Sequence, residues 1–97
     1  MAGSPSEFYK IPPNDIQAEK SVLGAILIDS SAVGLVAEFL KSNHFYQFEH
    51  QLIFTAMLKL FEKQAPIDII TLKNQLQSDG ELKNIGGKEY LSELLNS

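Results

Sequence analysis

The thirteen residues Gln51 to Lys63, QLIFTAMLKLFEK, constrain the fold more than any other stretch. At roughly 100° per residue, Gln51, Thr55, Lys59 and Glu62 fall within about 80° of one another on a helical wheel. Leu52, Ile53, Phe54, Ala56, Met57, Leu58, Leu60 and Phe61 cover the other faces. A helix apolar on all but one narrow stripe must be surrounded by other elements. The pattern therefore predicts a central buried helix at 50–63, with the rest of the chain packed around it. Thirteen residues with charges following are too few to cross a bilayer, so no membrane association is expected.

Elements predicted on either side are all helical. Ile11-Pro12-Pro13 keeps the entering chain extended, Asn14 is placed to cap, and Gln17 can return a hydrogen bond to the cap backbone. The first helix runs to about Ile28, with Ile16, Leu23, Ile26 and Leu27 on its apolar face, Val22 beside them, and Gln17, Glu19, Lys20 and Ser21 opposite or flanking. Gly24 costs of order 1 kcal/mol against alanine inside a helix, which points to close approach of a neighbour. Asp29-Ser30-Ser31 caps a second helix through Val33, Val36, Phe39 and Leu40 to Lys41. Ser42-Asn43-His44 is turn material before the aromatic run Phe45, Tyr46 and Phe48.

After the central helix, Gln64-Ala65-Pro66 breaks the chain and Asp68 caps a fourth helix with Ile69, Leu72 and Leu76 on its inner face. Gly80 supplies its left-handed stop. Leu82 and Ile85 tuck a loop onto the core, and Gly86-Gly87 opens a fifth helix bearing Tyr90, Leu91, Leu94 and Leu95. The expected fold is all-α, about five main helices around the central one. Met1 to Phe8, MAGSPSEF, reads as a cloning remnant or tail, giving a tail over 1–10 and a domain over 11–97. The fifth helix reaches Ser97 with no C-cap or Pro/Gly terminator, as expected of a piece cut from a longer protein.

Charge and composition narrow the function. All eight basic residues are lysines and the formal net charge is −4, so no guanidinium is available to clamp phosphate or guanine, which argues against nucleic-acid binding by this piece alone. The chain has no cysteine, hence no disulfide, thiolate nucleophile or cysteine-held zinc; this and the lack of a secretory signal fit a reducing, cytoplasmic setting. Gly86-Gly87-Lys88 fails as a phosphate loop, because Leu82 and Glu89 stand where glycine and Ser/Thr are needed. His44 and His50, six apart with Glu49 nearby, lack metal-ligand spacing and are expected as surface or capping residues. No serine has a glycine-flanked elbow. No catalytic, cofactor-binding or metal residue is assigned.

The sequence offers two nucleic-acid readings. A helix-turn-helix needs a turn of three or four residues, whereas Gly80 to Gly87 is eight. Phe45, Tyr46 and Phe48 can stack bases, with Lys41 and Lys88 supplying charge, in a small module binding single-stranded nucleic acid. The favoured assignment for these aromatics is as plugs at one end of the core.

The spelling of four segments adds a family. IPPNDIQAEKSVLGAILID, then NHFY with His50-Gln51-Leu52-Ile53-Phe54, then PIDIITLKNQL, then LKNIGGKEYLSEL, resemble the N-terminal domain of DnaB-type bacterial replicative helicases over Ile11 to Ser97. Pro12, Pro13, Ile16, Ala18, Glu19, Ser21, Val22, Leu23 and Gly24 match the first motif, Pro66 to Asp68 and Gly86 to Leu91 the later ones. Gln17 and Lys20 replace the commoner Glu and Gln at positions expected to be exposed. The family's helical hairpin and its ATP- and magnesium-binding motor domain are missing from these residues, so no cofactor is expected here. What the resemblance implies is a non-catalytic head that joins other helicase subunits in the collar of a hexamer, is a monomer or weak dimer by itself, and docks primase or a helicase loader. DNA would be met through the parent only. Gln17, Lys20, Lys88 and Tyr90, on the first and fifth helices, are the expected partner contacts; the other assignment for Tyr90 is a core residue with an edge hydroxyl.

Overall fold

The computed structural model describes residues 15–96. Five α-helices, α1 (Ile16–Ile28), α2 (Ala32–Ala37), α3 (Phe48–Glu62), α4 (Ile69–Ser78) and α5 (Gly87–Leu95), are joined with two 3-10 turns, Ser42–His44 and Lys83–Ile85. No strand occurs among the described residues. α3 packs against α1, α2, α4 and both 3-10 turns, and α5 closes the bundle by lying on α1 and α4.

The central helix meets the expectation of its sequence and extends it. Ile53, Phe54, Ala56, Met57 and Leu60 are buried, Leu52 and Leu58 half-buried, while Phe61 stays exposed. The helix starts at Phe48, earlier than its apolar pattern predicts. The N-cap residue Gln47 makes no side-chain cap bond. A carboxylate from α1, Glu19, accepts from the Tyr46 and Gln47 amides instead, at 2.6 and 3.3 Å. A negative group on amides at a helix entrance also offsets the positive end of the helix dipole, so tertiary packing lengthens α3.

The predicted cap at Asn14 lies outside the described residues, and Asp15 does the capping: its Oδ1 accepts from the Ala18 amide at 2.9 Å. α1 ends at Ile28 as predicted, with Leu23, Ile26 and Leu27 buried. Ile16, expected on the same buried face, is only partly covered, 37% exposed at the helix entrance. Gly24 touches α5: a Cβ built there would collide with the carbonyl oxygen of Leu94. α2 stops at Ala37 and not near Lys41, and Leu40 reaches the core from the turn that follows. Gly34 within so short a helix lowers its propensity.

α4 carries the predicted cap as a reciprocal pair. Asp68 Oδ1 accepts from the Thr71 amide and Thr71 Oγ1 accepts from the Asp68 amide, both at 2.9 Å. Leu72 and Leu76 are fully buried, and Gly80 ends the helix at φ 74°. Gly86 and Gly87, at φ 99° and 73°, make the turn into α5 and place Leu91 and Leu94 in the core. Ile85 is buried and Leu82 half-buried, as the tucked loop requires. The described residues contain no helix long and apolar enough to cross a membrane.

Candidate functional site

Three helices meet at one buried polar node. Glu19 on α1 and His50 on α3 are both fully buried, the two polar residues among the described ones that are. Glu19 Oε1 lies 2.7 Å from His50 Nδ1, and His50 Nε2 lies 2.6 Å from the hydroxyl of Tyr90 on α5. Because the Glu19 oxygens also accept from the Tyr46 and Gln47 amides, the carboxylate is the acceptor and Nδ1–H the donor. In the neutral imidazole Nε2 is then the acceptor and the Tyr90 hydroxyl the donor. No buried side-chain nitrogen or oxygen among the described residues lacks a partner. A buried carboxylate costs several kcal/mol to desolvate, and such a network is tolerated only when fully satisfied, as here.

His50 was expected on the surface or in a cap; burial corrects this, and His44 alone behaves as a capping residue, its Nδ1 accepting from the Lys41 amide at 3.0 Å. Glu19 likewise moves from the polar side of its helix to the core. Both misplacements carried a signal. Glu19 sits three after Ile16 and four before Leu23, so it lies within the apolar stripe. His50 sits three before Ile53 and four before Phe54, in the apolar stripe of α3. Two polar residues each interrupting an apolar face are candidates for pairing with one another.

The outer side of the node is the predicted α1/α5 face. Lys20 Nζ bonds Glu93 Oε2 at 2.7 Å and stands 5.9 Å from the centroid of the Tyr90 ring. Lys20 was expected to be exposed, but its side chain is only 15% exposed because it lies between Tyr90 and Glu93. Tyr90 is half-buried and packed against the core, with its hydroxyl bonded to the buried His50. Gln17 and Lys88 are exposed, Gln17 three residues before Lys20 on α1 and Lys88 two before Tyr90 on α5. Thus the structure joins Lys20 with Tyr90 directly and leaves Gln17 and Lys88 as solvent-facing neighbours in sequence.

The Tyr90 hydroxyl is pushed up to about 12 from its ordinary value of 10.0, by burial first and then by Glu93, Glu49 and Glu19. It therefore stays protonated as a donor to His50 near neutral pH. Since the folded value lies above the unfolded one, this contribution to stability is complete below pH 10 and lost as pH rises toward 12. Of the three tyrosines, one is expected to ionise late in a tyrosinate absorbance titration. Simultaneous ionisation of all three near the ordinary value would contradict the buried hydroxyl.

The aromatic run is split. Phe45 is buried and packs on Phe54 with ring centroids 5.2 Å apart, whereas Tyr46 and Phe48 are 56% and 60% exposed. The plug assignment therefore holds for Phe45 alone, and the base-stacking alternative loses one of its three rings to the core. Among the described residues no group of three or more His, Cys, Asp or Glu could hold a metal ion. Two surface hollows border α4, one lined by Gln77, Gly80, Leu82 and Lys83, the other by Leu60, Lys63, Thr71, Asn74, Gln75 and Ser78. Neither includes a residue of the buried node.

Comparison with known proteins agrees with the residues that carry the resemblance. A family model described as the DnaB-like helicase N terminal domain matches residues 11–97. The replicative DNA helicase DnaC of Bacillus subtilis is 40% identical over 88 residues, covering 91% of this chain and 19% of the relative. The replicative DNA helicase DnaB of Geobacillus stearothermophilus is 41% identical over 88 residues with the same coverage. The crystal structure of the N-terminal domain of DnaB helicase from Mycobacterium tuberculosis superposes with a TM-score of 0.84 at 39% identity, covering 88% of this chain and 62% of that one. The chain thus spans about a fifth of the length of these helicases, and the family model that it matches is that of their N-terminal domain. Four sequence motifs, an all-helical core around α3 and a shared fold over most of the chain lead to one assignment: this chain belongs to the DnaB-like helicase N terminal domain family.

Proposed function

We propose that this domain is a non-catalytic assembly and docking head of a replicative DNA helicase. Residues 11–97 form the head, a boundary supported by the family match starting at residue 11, and 1–10 lie outside it. Copies of the head associate into an N-terminal collar on a hexamer, and one face of each is offered to primase or a helicase loader. ATP, magnesium and DNA are handled by the motor of the parent protein in its cytoplasmic setting.

The observation that carries the docking assignment is the α1/α5 edge, where Lys20 lies over the Tyr90 ring and bonds Glu93, with the exposed Gln17 three residues before Lys20 on α1. An aromatic ring held by a buried network, with the Lys20–Glu93 pair beside it, has the composition of an interface anchor. An amide-shift NMR titration with the C-terminal helicase-binding region of the cognate primase is expected to move residues of α1 and α5 selectively. Shifts confined to α4 or to the Tyr46–Phe48 segment would place the docking face elsewhere.

A further inference from the structure

The interior partner of Tyr90 supplies an inference beyond the docking face itself, and it rests on that assignment. A tyrosine at an interface ordinarily offers a ring and a hydroxyl. Here the hydroxyl is committed inward, 2.6 Å from His50 Nε2, and the two rings lie nearly parallel at 18° with centroids 5.8 Å apart. His50 in turn cannot swing away, because Glu19 holds Nδ1 at 2.7 Å and the Phe45 ring stands edge-on to the imidazole at 6.4 Å. Glu19 is itself fixed by the Tyr46 and Gln47 amides. The orientation of Tyr90 is therefore set by residues that no partner touches.

We propose that His50 is a positioning residue for primase recognition: its bond to the Tyr90 hydroxyl fixes the ring beside Lys20, so that primase meets the ring edge and the ammonium in a preset arrangement. Holding the ring before binding lowers the ordering cost of association.

A double-mutant cycle on the primase-fragment titration tests this. His50→Asn keeps a group within reach of Glu19 and withdraws the one that reaches Tyr90, while Tyr90→Phe removes the same bond from the other end and keeps the ring. Each is expected to weaken binding about fivefold, the scale of one hydrogen bond. The double variant should be no weaker than the worse single one. His50→Gln, whose amide extends toward the Nε2 position, should restore most of the affinity. Without any partner, the Tyr90 hydroxyl proton should be protected from exchange in the native chain and lost in His50→Asn.

Should His50→Asn fail to fold, Tyr90→Phe decides alone, since it leaves the apolar core intact. Native-like affinity for Tyr90→Phe, where Tyr90→Ala binds poorly, would overturn the role of His50 while sparing the docking face. Losses that multiply in the double variant would overturn it too. Full affinity for Tyr90→Ala would remove the α1/α5 docking face and this proposal together.

Discussion

Replacing Glu19 with leucine is expected to bring this domain close to unfolding. The substitution suits an interior position by hydropathy, yet it removes the acceptor for three donors at once: the Tyr46 amide, the Gln47 amide and His50 Nδ1. A buried donor left without a partner costs about 1–3 kcal/mol, and breaking a buried ionisable pair from one side about 3–5 kcal/mol. A domain of this size holds on the order of 4–12 kcal/mol in all. The expected loss, about 3–5 kcal/mol, is read as a fall in urea midpoint at constant slope. A second variant identifies the cause. With His50→Leu added, the orphaned imidazole is gone, so the double variant should recover part of the loss while the two amides keep it below the native chain. A loss under about 1 kcal/mol in Glu19→Leu would mean that water or a shift of the α3 entrance replaces the carboxylate.

Gly24→Ala should also destabilise, against the helix propensity that favours alanine by about 1 kcal/mol. The added Cβ would collide with the Leu94 carbonyl oxygen, a backbone atom of α5 that has no rotamer to escape into. Relief requires α5 to move off α1, unseating Leu91 and Leu94 from the core and pulling Glu93 and Tyr90 from Lys20. Overpacking of this kind typically costs about 1–3 kcal/mol, so a net loss of about 2 kcal/mol is expected for alanine and more for valine. Ser21→Ala on the solvent side of the same helix is the control, expected to be neutral or slightly stabilising. Equal stability of Gly24→Ala and Ser21→Ala would show that the α1/α5 contact yields readily. Because the same contact carries the Lys20–Tyr90 edge, Gly24→Ala is further expected to weaken the primase-fragment titration.

The helices that sequence alone placed are those whose signals are local. The Asp68 cap, Gly80 and the Gly86-Gly87 turn act through atoms a few residues apart, and each appears where the pattern put it. The apolar faces of residues 52–61, broken by one narrow polar stripe, required surrounding neighbours, and Gly24 required a close one; neither depended on knowing which neighbour. Family membership was legible for a similar reason, since motifs at fixed spacing are themselves properties of the chain.

The early start of α3, the burial of Glu19 and His50, and the inward turn of Tyr90 were settled only in three dimensions. Each involves partners 27 to 40 residues apart, brought together by α1, α3 and α5 converging. A helical wheel gives Glu19 and His50 a side of their own helices but not the identity of what faces that side, and polar type alone assigns them to water. Its place beside the apolar face of α1 likewise made Lys20 an exposed cation, whereas packing of α5 on α1 laid it between Tyr90 and Glu93. The sequence by itself therefore determined the helical set, its central member and its family, because propensity, caps and apolar periodicity are short-range. Which polar groups are drawn into the core, and which way Tyr90 faces, the tertiary structure decided, because a buried charge is tolerable only where partners from distant segments meet it.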